Sequence, residues 1–354
     1  MTTIAAVRTV LGEHRYEQAA ITEAFAELCV ETPRDRALLR RFHRSAKVDS
    51  RYLTLPLEQY REPADFGSRN DVFIAEGTAL GASALAGALS DAGLLPADVD
   101  LILFSTVTGV AAPSLDARIA AVIGLRPDVK RLPLFGLGCV AGASGIARLH
   151  DYLLGHPGEI AVLVSVELCS LTVQPNDRSV ANMVASGLFG DGAAAVVAVG
   201  ADRAATLGID GPQVVGSRSH LYPDTQRTMG WDVGASGLKI VLDAEVPALV
   251  QRYLAADAQA LLDEYGIALP DVTGWVCHPG GPKVIEAIEI ALGLPSEALE
   301  ITWRSLAGVG NLSSASVLHV LADTLDKRSF ERGSPGVLMA MGPGFCSELV
   351  LLRW

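Results

Sequence analysis

Leu137-Gly138-Cys139-Val140-Ala141-Gly142-Ala143-Ser144 and, about 170 residues further on, Val309-Gly310-Asn311-Leu312-Ser313-Ser314-Ala315-Ser316 follow one pattern. In each, a glycine precedes a polar or reactive side chain, an apolar residue follows, and small residues open a helix. The repeat extends beyond these octets. An Ala/Leu-rich helix at 79–92, a Leu94-Leu95-Pro96 break and a strand at 101–104 return at the same offset as a helix at 254–265, Leu269-Pro270 and a strand at 272–277. A helix at 284–292 then ends at Gly293. Strand-like and helical runs alternate over 100–105, 114–123, 131–135, 141–154 and 160–167, the order of an α/β protein. We read a duplicated α/β unit. Its N-terminal half, 1–200, closes on Leu188-Phe189-Gly190-Asp191-Gly192 and a strand at 195–199; its C-terminal half, 201–354, closes on a strand at 348–353.

Duplication has a chemical consequence. Two related halves packed about a pseudo-dyad bring equivalent helix starts together, so Cys139 and Asn311 are expected to meet. A thiol at a glycine-flanked helix start is open to close approach, and the positive end of the helix favours thiolate. Read alone, Cys139 fits packing as well as chemistry, because free cysteines are commonly buried. His278 ends a strand in Trp275-Val276-Cys277-His278-Pro279-Gly280-Gly281, where α/β sheets place functional groups. His14, His43, His150, His156, His220 and His319 stand in helical, polar or charged contexts and suit packing or surface roles better. A thiol, an imidazole and a carboxamide thus converge, although each also has a structural reading of its own.

Composition narrows the function. Half the residues are apolar, enough for a substantial core, and five scattered cysteines without a CxxC pair read as reduced, cytoplasmic thiols rather than a zinc site or disulfide framework. The N-terminal residues lack the pattern of a signal peptide, and Glu167 interrupts the apolar run over 160–173, so no membrane span is expected. A net charge of −12 disfavours nucleic acid. Any anionic ligand needs a local basic patch, and Arg40, Arg41, Arg44 and Lys47 form one on an amphipathic helix.

Taken in order, Gly138-Cys139, Leu188-Phe189-Gly190-Asp191-Gly192-Ala193-Ala194, Cys277-His278-Pro279-Gly280-Gly281-Pro282, Gly310-Asn311-Leu312-Ser313-Ser314-Ala315 and Met341-Gly342-Pro343-Gly344-Phe345 resemble the type III polyketide synthases, the chalcone-synthase-like branch of the thiolase superfamily. The resemblance implies a five-layered αβαβα thiolase fold, a homodimer, and a Cys139, His278, Asn311 triad that needs no metal or redox cofactor. CoA thioesters are then substrates: an acyl-CoA starter loads on Cys139, and malonyl-CoA, or methylmalonyl-CoA, extends it. It further implies that Phe189 gates the cavity and that Ile240 stands where the family has a second, aromatic gate. Cys169, Thr172, Thr108, Ala112 and Ser313 are implied as cavity residues, and Gly342, Pro343 and Gly344 as a loop shaping its wall. Arg41 and Arg44 fall near the residues that hold CoA phosphates.

The segment Thr106-Val107-Thr108-Gly109-Val110-Ala111-Ala112-Pro113 carries alanine where many relatives have methionine. Space there suggests a fatty acyl starter, and the overall wording is similar to bacterial enzymes forming alkylresorcinols or alkylpyrones. Two rival readings share the triad: a β-ketoacyl-ACP synthase III performing a single condensation, and a cysteine hydrolase of thioesters. The first typically continues its histidine with Gln-Ala-Asn rather than Pro279-Gly280-Gly281. The second does not require a water-poor, malonyl-selective cavity. A non-catalytic binding protein would not need all three triad residues.

Overall fold

The computed structural model describes residues 1–61 and 65–354. Its N-terminal half runs β1 (Thr2–Leu11), β2 (His14–Glu17), α1 (Gln18–Cys29), α2 (Pro33–Ser45), β3 (Ser50–Leu53), α3 (Phe66–Asp91) and β4 (Leu101–Thr106). It continues through α4 (Leu115–Ile123), β5 (Lys130–Phe135), α5 (Ala141–Gly155), β6 (Ile160–Leu168), α6 (Val180–Leu188), β7 (Asp191–Gly200) and α7 (Ala201–Leu207). The C-terminal half comprises β8 (Gln213–Leu221), β9 (Met229–Gly234), β10 (Gly237–Leu242), α8 (Val246–Asp263), β11 (Gly274–Cys277) and α9 (Pro282–Leu292). After α10 (Glu300–Val309) and α11 (Ser316–Lys327), β12 (Pro335–Gly342) and β13 (Cys346–Arg353) complete it.

Strand order reveals the duplication. The sheet reads β11-β12-β13-β8-β1-β7-β6-β4-β5, and its two halves pair where Thr2 and Thr3 of β1 meet Val214 and Gln213 of β8. From that junction outward, β1-β7-β6-β4 on one side corresponds to β8-β13-β12-β11 on the other. Five layers result, because both faces of each half-sheet are apolar. In β6, Val162, Val164 and Val166 enter the core shared with α3, whereas Ala161 and Leu163 enter the one shared with α5 and α11. In β12, Val337, Met339 and Met341 face α8 and α9, while Leu338 and Ala340 face the α5–α11 layer. This period-two division between two cores is what a doubly covered strand requires, and all nine residues of β6 are buried.

Element boundaries moved where polar residues diluted the pattern. The helix expected at 79–92 is the end of α3, which starts at Phe66 behind an Asp65–Ser68 capping box. By length and composition α3 is apolar enough to cross a bilayer; it packs on the half-sheet through buried Phe73, Ala84, Leu85 and Ala88.

Candidate active site

The two octets form the same local device. Cys139 lies in a 3-10 turn, Gly138–Val140, that runs straight into α5, and Asn311 precedes the 3-10 turn Ser313–Ala315 that runs into α11. Gly138 (φ 56°) and Gly310 (φ 73°) both require the left-handed region. A Cβ on Gly138 would sit 2.8 Å from Pro343, and one on Gly310 would sit 2.6 Å from the Leu188 carbonyl oxygen, so side chains are excluded as well as strained.

Cys139, His278 and Asn311 line one cavity with an empty volume of about 510 Å³. All three are buried. Cys139 Sγ lies 3.8 Å from Ser313 Oγ. Burial pushes its thiol up to about 12, and the Glu167 carboxylate adds to the rise while contacts to Ser313 and Asn311 oppose it. Desolvation thus opposes the thiolate that the helix start favours. Burial likewise lowers His278 to about 3, and neither of its ring nitrogens has a hydrogen-bond partner among the described residues. Its imidazole is neutral, with one N–H to donate and one lone pair to accept. Asn311 is oriented by its neighbours: Oδ1 accepts from the Ser313 backbone N–H at 2.8 Å, while Nδ2 reaches the Gly280 carbonyl only at 3.5 Å. That leaves the carboxamide N–H groups weakly engaged at the cavity wall.

Phe189 lines this cavity and two adjoining hollows, placing it at their junction. Val107, Thr108, Cys139, Cys169, Ile240, Ser313 and Pro343 bound a second hollow with an empty volume of about 420 Å³, on the far side of Phe189 and Cys139. Thr172 stands beside Cys169 and Ile240 in a smaller one, its hydroxyl donating to the Cys169 carbonyl at 2.7 Å. Ser313 holds a left-handed backbone (φ 47°), rare for a residue with a side chain.

Other expected positions fall elsewhere. Ala112 is exposed on the loop ahead of α4 and lines none of these hollows, because the chain turns outward at Val110. Gly342 approaches the nucleophile turn, where a Cβ would lie 2.7 Å from Val140 N, but Gly344 supports the loop without reaching the cavity. Arg41 and Arg44 are exposed on α2 and neither forms an ion pair among the described residues. Arg40 and Lys47 are engaged, with Glu23 at 2.6 Å and Glu286 at 3.2 Å.

Three wall features escaped the sequence. Trp231 and Met229, on β9, project into the second hollow, and Trp231 pairs across the hairpin with Ile240. Their strand, Met229–Gly234, reads as a polar turn-rich stretch with no clear period. Glu167 is fully buried, accepting from Thr108 Oγ1 at 3.0 Å, Val107 N at 3.1 Å and Ser314 Oγ at 2.5 Å. A lone carboxylate inside a strand otherwise apolar but for Ser165 was its signal. Arg51, treated below, carried none.

Comparison with known proteins agrees with this geometry. The chain matches the model of chalcone and stilbene synthases, N-terminal domain, over residues 1–203 and that of the C-terminal domain over 213–354. It is 57% identical, across its whole length and 93% of the relative, to a 1,3,6,8-tetrahydroxynaphthalene synthase from Streptomyces peucetius subsp. caesius. It is 33% identical to a putative chalcone synthase of Bacillus subtilis, covering 99% of that protein. Superposition on the tetrahydroxynaphthalene synthase of Streptomyces coelicolor A3(2), described as a bacterial type III polyketide synthase, gives a TM-score of 0.93 at 31% identity, covering 99% of both chains. With both half-models matched, the duplicated sheet shared and the Cys139 turn built as described, the chain belongs to the chalcone and stilbene synthase family and is a type III polyketide synthase.

Proposed function

We propose that this synthase uses malonyl-CoA both as starter and as extender and closes the resulting chain into a tetrahydroxynaphthalene-class product. The observation that carries the reading is the wall of the second hollow, where the bulky side chains of Trp231, Met229 and Phe189 bound the space beside Cys139. The relatives named for tetrahydroxynaphthalene point the same way. That product has ten ring carbons, four oxygens and no alkyl substituent. Five malonyl units therefore suffice: they lose five carbon dioxides and five CoA thiols, and one water leaves as the rings close.

The triad divides this chemistry. His278 accepts the Cys139 proton as the thiolate attacks the starter thioester, and CoA departs with a proton. Moving the proton between two neutral buried groups avoids maintaining a desolvated ion pair in the resting site. Neutral His278 and Asn311 Nδ2 then donate to the thioester oxygen of the next malonyl-CoA, stabilising the enolate formed as carbon dioxide leaves. Each such donor contributes roughly 3–4 kcal/mol. The enolate carbon attacks the Cys139 thioester, and the thiolate leaves. An apolar lining favours this over hydrolysis.

Further elements of the reading are these. Arg41 and Arg44 hold CoA phosphates. The synthase works as a cytoplasmic homodimer without a metal or redox cofactor: β5 is an uncovered edge strand whose Leu132 and Phe135 are 43% and 53% exposed, and all five cysteines are free. The test is mass spectrometry of products from purified protein supplied with labelled malonyl-CoA alone and without a carrier protein. A tetrahydroxynaphthalene supports the proposal. Products formed only when a long-chain acyl-CoA is added, as alkylpyrones or alkylresorcinols, would replace it with the fatty-acyl reading, and release of free acid alone would favour a hydrolase.

A further inference from the structure

Arg51 is the largest fully buried side chain of the molecule, 1% exposed, and it lies under the gate rather than in the cavity. Its Nε donates to Gln18 Oε1 at 3.0 Å and its Nη1 donates to the Phe189 carbonyl at 2.6 Å, while Nη2 has no hydrogen-bond partner. Gln18 completes the brace by donating its Nε2 to the Gly187 carbonyl at 2.7 Å. One buried guanidinium and one buried carboxamide therefore hold two carbonyls, Gly187 and Phe189, at the last turn and cap of α6. Burying an arginine is costly, and the buried Asp191 carboxylate offsets part of that cost by favouring the guanidinium charge.

The pinned backbone is shared with the catalytic carboxamide. Residues Phe189 and Asn311 form a parallel bridge: Asn311 N donates to the Leu188 carbonyl at 2.9 Å, and Gly190 N donates to the Asn311 carbonyl at 2.9 Å. The Arg51 stem also passes under Gly310, where a Cβ would come 3.0 Å from Arg51 Cδ. From outside, His43 on α2 hydrogen-bonds Ser186 Oγ through Nε2 at 3.1 Å and Thr22 Oγ1 through Nδ1 at 2.9 Å, fixing the same segment from its other face. Arg51 is thereby two links from the gate ring and three from Asn311 Nδ2.

We infer that Arg51, braced by Gln18, is a positioning residue that registers the Phe189 gate and the Asn311 oxyanion donor to each other, and so couples decarboxylation of the extender to growth of the chain on Cys139. A lysine cannot replace it. A single ammonium would not span the Gln18 oxygen and the Phe189 carbonyl with fixed fork geometry. Loss of the brace lets the 187–190 backbone and Asn311 drift together, while Cys139, on another turn, stays in place.

This inference rests on malonyl-CoA decarboxylation by the triad, as proposed above. The experiment compares wild type with Arg51→Met, Arg51→Lys and Gln18→Met, measuring three quantities on each: labelled acyl transfer to Cys139, carbon dioxide release from malonyl-CoA, and the ratio of prematurely released short pyrones to full-length product. Thermal unfolding reports the folded fraction, and Gln18→Met, which leaves the guanidinium in place, serves if Arg51→Met does not fold. Expected is acyl loading within about threefold of wild type, carbon dioxide release down on the order of tenfold to a hundredfold, and a severalfold rise in short products, with Arg51→Lys failing to rescue and Gln18→Met smaller in the same direction. If folded variants keep the wild-type product ratio and decarboxylation rate, or if all three quantities fall together in proportion to the folded fraction, Arg51 is structural and the inference is wrong. A wild-type protein that releases no carbon dioxide from malonyl-CoA would instead defeat the functional proposal.

Discussion

The turn at Cys139 and the turn at Asn311 share a plan but differ in chemistry and in backbone detail, Ser313 being left-handed where Ala141 is helical. Each begins with a left-handed glycine, passes through a 3-10 turn and enters a central helix, α5 or α11. One presents a thiol that must lose a proton, the other a carboxamide whose Oδ1 is tied down at 2.8 Å so that its N–H groups face the cavity. The turns also differ in what packs on them. Gly138 meets the ring of Pro343 on a surface loop, whereas Gly310 meets a backbone carbonyl and the buried Arg51. Duplication supplied two convergent helix starts, and divergence at one position in each made them complementary.

The most severe way to break the comparison is to remove either functional atom. Cys139→Ala and Asn311→Ala should each lower product formation by on the order of a thousandfold, read by quantitative mass spectrometry. A variant within tenfold of wild type would show that its turn is packing. Next comes pH. Burial holds His43 and His278 at about 3 and His319 at about 4, below their ordinary 6.5, so the unfolded chain binds protons that the folded chain does not. Stability from these groups is complete above pH 6.5 and is lost as pH falls through the window down to 3–4. At pH 5.5 the three together should cost about 4 kcal/mol, seen as a lower unfolding temperature than at pH 7.5. A flat profile over that interval would contradict the assigned burial, and His319→Gln should remove about a third of the slope.

A smaller effect separates the two glycines. Gly310→Ala, facing unyielding backbone at φ 73° and ψ −160°, should destabilise by about 3 kcal/mol, and Gly138→Ala, facing a loop proline, by roughly 1–2. Equal losses by denaturant unfolding would mean that the turns are packed alike. The mildest test concerns the wall: Trp231→Gly should join the hollow beside Cys139 to the smaller one behind Ile240 and raise the share of longer or bulkier-started products severalfold, about 1 kcal/mol in discrimination. An unchanged product profile would remove Trp231 from the specificity argument.

What was legible in sequence follows from what each residue needs from its neighbours. The duplication and the convergence of Cys139, His278 and Asn311 come from local patterns, small residues at helix starts and a strand ending in Pro-Gly-Gly, whereas the layer order came with the family resemblance. Walls were less legible, because cavity shape depends on residues brought in from distant segments. Ala112 is the example: it lies on an exposed loop of the single chain and lines none of that chain's hollows. Trp231 was hidden in a hairpin interrupted by Gly230, Gly234 and Gly237, and Arg51 stands in a charged stretch where burial leaves no periodic trace. The helix end at Cys139 was legible, whereas the burial that pushes its thiol up depends on residues from distant segments.

The division of labour between the two turns can be measured by separating the partial reactions in Cys139→Ala and Asn311→Ala. Intact-protein mass spectrometry after incubation with a labelled acyl-CoA reports loading, and trapped carbon dioxide from malonyl-CoA reports decarboxylation. The account requires a crossed result: Cys139→Ala unloaded but still slowly decarboxylating, Asn311→Ala loaded but unable to decarboxylate. Acylation of Cys139→Ala, or parallel loss of both partial reactions in Asn311→Ala with the fold intact, would contradict it.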